Sequence, residues 1–144
     1  MKHLFLFIVL FSFIDSVARA QERLSQMSIP KRDSILVEIV QKVLKEKYPK
    51  CYREKGITPR IDEGVYEYDA SYYKNISETI PNYVKKGDIF YMVTLYYDKA
   101  KEEKFEYFYT AMMVIQEKTR RPSRIHLGEF NIGYSLLDES ERQK

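Results

Sequence analysis

Cys51 and His126 are the residues of this chain most suited to nucleophilic chemistry. A thiolate made by an imidazole could attack a carbonyl, given backbone donors to hold the oxyanion. Cys51 lies in the basic run YPKCYREKG, where Lys50, Arg53 and Lys55 would lower the thiol pKa if they converged on it. The plainer reading is a structural or surface thiol just past a helix end. In an oxidising compartment it could also pair with a second copy. His3 falls in an apolar leader, so His126 is the one histidine beyond it. A His-rich metal centre is excluded, and Cys51, His126 and the carboxylates do not stand at ligand spacing. No metal and no cofactor is expected.

The run EKTRRPSRIH gathers Lys118, Arg120, Arg121, Arg124 and His126 around one turn. Guanidinium forks with backbone donors could hold phosphate, sulfate or carboxylate there, with Arg120, Arg121 and Arg124 as the binding residues. Arginines at a hairpin end also keep the turn soluble and block edge pairing. The pairs Asp62–Glu63 and Glu102–Glu103 are adjacent in sequence. Adjacent strand residues point to opposite faces, so these make poor acid–base partners. Tyr72–Tyr73, Tyr96–Tyr97 and Tyr107/Tyr109 could stack on a ligand, but tyrosine is foremost a strand former and core filler. The tripeptide Asn75-Ile76-Ser77 is a glycosylation acceptor in a eukaryotic host. Glycine-rich phosphate loops, GxSxG and zinc spacings are absent from the sequence.

The leader sets the compartment in which any of this would act. MKHLFLFIVLFSFIDSVARA carries Lys2, an apolar block from Leu4 to Ile14 broken only by Ser12, and Ala18-Arg19-Ala20. That is the pattern of a secretory signal peptide cleaved after Ala20. The block is too short for a bilayer span, which needs about 20 apolar residues. The chain is therefore expected to be secreted or periplasmic, with no membrane span after cleavage. Loss of Lys2, Arg19 and Asp15 takes the formal net charge from +3 to +2, too little to argue for nucleic acid as a partner. One cysteine cannot build an internal disulfide framework. Stability must come from an apolar core, which the tyrosines and the phenylalanines beyond the leader can help to supply.

Gln21 to Pro30 reads as a flexible lead, and residues 31–134 as one domain. Within it Ile35, Leu36, Ile39, Val40, Val43 and Leu44 form one stripe of a helix from Asp33 to Tyr48, capped by Ser28 or Asp33 and ended by Pro49. Burying those six side chains is worth roughly 9–18 kcal/mol gross, which requires a sheet or a second helix. KCYREKGITPRIDEG reads as a loop entering a short strand, and VYEYDASYY as a possible edge strand. Pro81 could open a short helix that Gly87 closes.

Two arms, Asp88–Tyr97 and Lys104–Gln116, then form an antiparallel hairpin about the polar turn DKAKEEK. One face carries Ile89, Tyr91, Val93, Leu95, Tyr109, Ala111, Met113 and Ile115. The other carries Phe90, Met92, Tyr96, Phe108, Met112 and Val114. RIHLGEFNIG follows Pro122 as a third strand, with Ile125 and Leu127 on one face and His126, Phe130 and Ile132 on the other. Residues 135–144 form a tail.

A helix followed by a meander gives an α+β fold, with the helix on one face of an antiparallel sheet. In element order Asp33–Ile132 is similar to the helix-on-curved-sheet architecture of cystatin-like and NTF2-like proteins. The QxVxG loop of the cystatin inhibitors has no counterpart, since QKVLK (Gln41–Lys45) lies inside the helix and lacks the glycine.

One helix cannot cover both apolar faces, and a bare apolar patch is unusual on a soluble monomer. The second face is closed by the chain's middle segment, by a second copy, or by a ligand. The sequence thus points to an exported, non-enzymatic binding protein that uses this face, through Phe90, Met92, Tyr96, Phe108, Met112 and Val114. Its partner would be a protein, a small apolar molecule or itself as a homodimer. The alternatives are a thiol enzyme built on Cys51 and His126, and an anion-binding module at the Lys118–Arg124 turn.

Overall fold

The computed structural model describes residues 22–97, 109–128 and 132–143. The leader, the hairpin tip with Phe108, and Phe130 lie outside the described residues.

The apolar stripe forms helix α1, Ile29–Lys47. It starts before Asp33 because Pro30 sits in the first turn, where its missing N–H removes no helical bond. Ser28 is the residue before the helix, but its side chain makes no capping bond. The helix ends at Tyr48, ahead of Pro49, and a 3₁₀ turn over Pro49–Cys51 follows. Leu36, Val40 and Leu44 are buried, while Ile35, Ile39 and Val43 pack around them half-covered.

The fold is α+β, with one five-stranded antiparallel meander in the order β1-β2-β3-β4-β5. The strands are β1 Ile57–Val65, β2 Ile89–Tyr97, β3 Tyr109–Gln116, β4 Pro122–Leu127 and β5 Ile132–Ser135. Two readings of the sequence need correction here. The edge strand is ITPRIDEGV rather than VYEYDASYY, whose later part folds as the short helix α2, Ala70–Tyr73. The expected third strand is two strands, β4 and β5, which pair Leu127 with Ile132. Residues 74–88 hold turns instead of a helix opened by Pro81, and Gly87 takes a positive φ of 87° in the last of them.

Alternation in the strands decides the core. Tyr91, Val93 and Leu95 face α1, beside their partners Ile115, Met113 and Ala111, and beside Ile125 and Leu127 on β4. These side chains are 0–2% exposed and enclose Leu36, Val40, Leu44 and Cys51. The helix therefore covers the expected face. Tyr109 departs from that face because a register shift follows Leu95. Leu95 pairs with Ala111 and Tyr96 with Tyr109, which leaves Thr110 as the extra residue of a bulge.

The segment read as a flexible lead is part of the core. Leu24–Gln26 forms a 3₁₀ turn, and Leu24 is 0% exposed among the helix and sheet residues. Ser25 donates from its backbone N–H (3.1 Å) and its hydroxyl to the Glu117 carboxylate. The tail is also engaged. Asn82 donates from Nδ2 to the carbonyls of Ser140 (2.8 Å) and Arg142 (3.1 Å), and its N–H donates to that of Glu141 at 2.8 Å.

Candidate functional site

The side of the sheet away from α1 is built in two parts. At the Phe90 end the chain closes its own sheet. Tyr66, Ala70 and Val84 pack there with Tyr73, Ile80 and Phe90. The Phe90 ring lies over Gly64, where a Cβ would overlap it, and stands 4.8 Å centre to centre from the Tyr66 ring. Gln116 donates from Nε2 to the Tyr66 hydroxyl (2.9 Å) and to Ser123 Oγ (3.0 Å). Burial pushes the Tyr66 phenol up to about 12, against the opposing pull of the Gln116 bond.

Beyond Phe90 the outer face consists of two cross-strand rows. Register gives Asp62–Met92–Val114–Arg124–Ser135 as one and Arg60–Thr94–Met112–His126–Gly133 as the other. Neighbours in a row are about 5 Å apart. The centre is apolar, with Met92, Met112 and Val114 half-buried and Thr94 2% exposed. Arg60 and Asp62 flank it on β1, paired to each other at 3.0 Å. Arg124 and His126 flank it on β4. Arg124 donates to Nε2 of His126, so the ring must carry its proton on Nδ1. Burial, then the Arg124 charge, lower the His126 pKa from its usual 6.5. Tyr96 lies half-buried at the end of the apolar centre, beside Thr58.

Cys51 and His126 are not brought together. Cys51 is 1% exposed in the core beneath α1, while His126 belongs to the outer face of the same sheet. Cys51 does line an apolar hollow of about 300 Å³ with Lys47, Tyr48, Pro49, Lys50 and Leu127.

The basic turn does not converge on a point either. Lys118 pairs with Asp88 at 2.6 Å, and Arg121 with Asp138 and with Glu141 (3.1 Å). Arg120 donates to the Glu22 carbonyl from a left-handed backbone with φ 53°. Arg124 alone of the three arginines faces the outer sheet surface.

Among the described residues no three His, Cys, Asp or Glu side chains gather as a metal site, and no helix is long and apolar enough to cross a membrane. Two features escaped the sequence reading. The Arg60–Asp62 border was hidden because β1 was not recognised as a full strand. The Tyr66–Gln116–Ser123 link joins residues far apart in sequence, and no local pattern announces it. No protein-family model, curated protein or solved structure matches this chain.

Proposed function

We propose that the protein is an exported, non-enzymatic binding module, secreted or periplasmic, whose outer sheet face takes a protein partner. One observation carries this reading. Among the described residues the chain covers its second face at the Phe90 end alone, and beyond it Met92, Met112 and Val114 form an apolar centre bordered by Arg60, Asp62, Arg124 and His126. An apolar centre inside a polar rim is the composition of protein interfaces, and methionine adapts its shape to a partner. The border carries both signs, with the Arg60–Asp62 pair on one side and Arg124 on the other, so the partner would set mixed polar and charged groups around an apolar contact. The leader supports export, and the helix-then-meander order supports a cystatin-like or NTF2-like architecture.

The test is a photo-crosslinking amino acid placed at Met112 in the native host, with Lys42 on α1 as the control site. The expected result is one protein adduct from position 112, absent from position 42 and lost on adding Met92→Glu. No adduct, or the same adducts from both sites, would contradict the reading.

The hollow beside Cys51 favours a second reading, a small apolar ligand held under the helix end. Thermal shift with 1-anilinonaphthalene-8-sulfonate, compared between the native chain and Leu127→Trp, tests it. A stabilisation that Leu127→Trp removes supports such a ligand, and no stabilisation excludes this probe's class.

A further inference from the structure

The geometry points to a two-fold symmetric dimer made by antiparallel pairing of β1 with β1 of a second copy, centred on Ile61. Arg60 and Asp62 also border the outer face, but the pairing uses the backbone of the β1 edge and is read on the purified chain without any partner, so the two readings are tested apart.

Among the described residues β1 pairs with β2 alone and is one border of the sheet. It is nine residues long, against four for β5 at the other border. Which of its backbone groups point outward follows from the ladder. The N–H of Tyr66 bonds the Asp88 carbonyl at 2.9 Å, in phase with the β1–β2 register. In an antiparallel ladder such bonded pairs alternate with unbonded ones. Even-numbered residues of β1 therefore bond β2, and Ile57, Pro59, Ile61, Glu63 and Val65 turn their backbone groups outward. Pro59 fits this phase, because its missing N–H removes nothing from the β1–β2 ladder. A long open edge with unpaired donors and acceptors is a template for another strand.

The sequence of this edge, ITPRIDEGV, complements itself when reversed about Ile61. Ile61 meets its own copy. Arg60 meets Asp62 of the partner subunit, and Asp62 meets the partner's Arg60. Ile57 meets the partner's Val65, and Val65 is 53% exposed in the single chain. Pairing keeps even residues opposite even ones, so both copies keep α1 on the same side of the joined sheet. The Arg60 and Asp62 side chains, 64% and 38% exposed and already paired within one chain, become an alternating ring of four charges around the two-fold axis.

The neighbouring registers are penalised. A slip one way sets Arg60 opposite Arg60, and the other way sets Asp62 opposite Asp62. Centring on Pro59 sets two prolines face to face, and centring on Glu63 opposes two carboxylates. Like charges directly opposite destabilise a sheet, and opposite charges support it. Pro59 removes two hydrogen bonds from the Ile61-centred pairing and leaves the outward groups of Ile57, Ile61, Glu63 and Val65 to bond. A dimer of this kind is isologous and closed, and it removes the long edge from solvent. The two five-stranded sheets join as one of ten strands.

Sedimentation velocity of the chain beginning at Gln21, which contains every described residue, tests this directly. The native protein should sediment at twice the chain mass. Arg60→Asp and Asp62→Arg should each shift it to the chain mass with unchanged far-UV circular dichroism. The double variant carrying both should regain the dimer, because the charges again alternate. A native monomer across the concentration range overturns the inference. So does a dimer that survives both single variants, or one that the double variant does not restore.

Discussion

Gln116 on β3 donates a hydrogen bond to the hydroxyl of Tyr66 at 2.9 Å, and this bond ties the segment after β1 onto the outer face of the sheet. Tyr66 is 5% exposed and Gln116 2%, so neither group can turn to water instead. Tyr66→Phe should cost about 1 kcal/mol. Gln116→Leu should cost more, since the buried Ser123 hydroxyl also loses its partner. Urea denaturation at neutral pH measures both, and a Gln116→Leu protein as stable as the native one would refute the link.

High pH should unfold the protein through its buried phenols. Tyr66 and Tyr91 are both pushed up to about 12, chiefly by burial, and for Tyr91 also by the Glu63 carboxylate. The Tyr91 hydroxyl is enclosed near the Glu63 carboxylate, and the Arg32 guanidinium lies 5.2 Å from the ring centre. A folded pKa above the unfolded value near 10 means that stability is whole below pH 10. It is lost as pH rises through 12. At about 1.4 kcal/mol per pH unit, each phenol removes up to roughly 2–3 kcal/mol over that window. Tyr91→Phe should flatten the loss between pH 10 and pH 12, read by thermal melts at each pH.

The segment just past the leader should be required for stability. Leu24 is fully enclosed and Ser25 holds Glu117, a residue only 7% exposed. Leu24→Ala should cost 2–5 kcal/mol by emptying part of the core. A chain beginning at Ile29 should lose that and leave Glu117 without Ser25. Equal melting temperatures for the full and shortened chains would show that the segment is dispensable.

Gly64→Ala should open the covered end of the outer face. An added Cβ collides with the Phe90 ring, which is wedged against Tyr66 and cannot retreat freely. A cost of about 1–3 kcal/mol is expected. The aromatic proton shifts of Phe90 and Tyr66 should move while those of Tyr48 do not.

His126 gives a clean titration, being the one histidine of the chain from Gln21 onward. Its imidazole should titrate below 6.5, because burial and Arg124 both oppose the charged form. The stability it contributes is present above 6.5 and is lost as pH falls through the lowered value. Arg124→Ala should raise the midpoint, read from the Cε1 proton by NMR.

What was legible in the sequence was periodicity. The stripe from Ile35 to Leu44 and the alternation from Ile89 to Ile115 gave the helix, the hairpin and the face that joins them, because those patterns report burial directly. β1 was not legible as a full strand. Arg60, Asp62 and Glu63 dilute its apolar residues, and an edge strand with one shielded flank needs few of them. The bulge at Thr110 moved Tyr109 to the other face, and no residue type there signals the extra position. Leu24 looked like part of a polar lead because a single leucine carries no period. At the candidate site, Met92, Met112 and Val114 came from alternation alone. Their charged border came from register, which is a property of paired strands and not of one.

The most direct measurement of the central claim is methionine oxidation by peroxide, compared between the purified chain and the protein in its native compartment. Met92 and Met112 face outward while Met113, at 0% exposure, is the internal standard. If the outer face is a partner's seat, Met92 and Met112 oxidise readily in the purified chain and are protected in the native compartment, with Met113 slow in both. If Met92 and Met112 oxidise at the same rate in both settings, nothing occupies that face and the proposed function is contradicted.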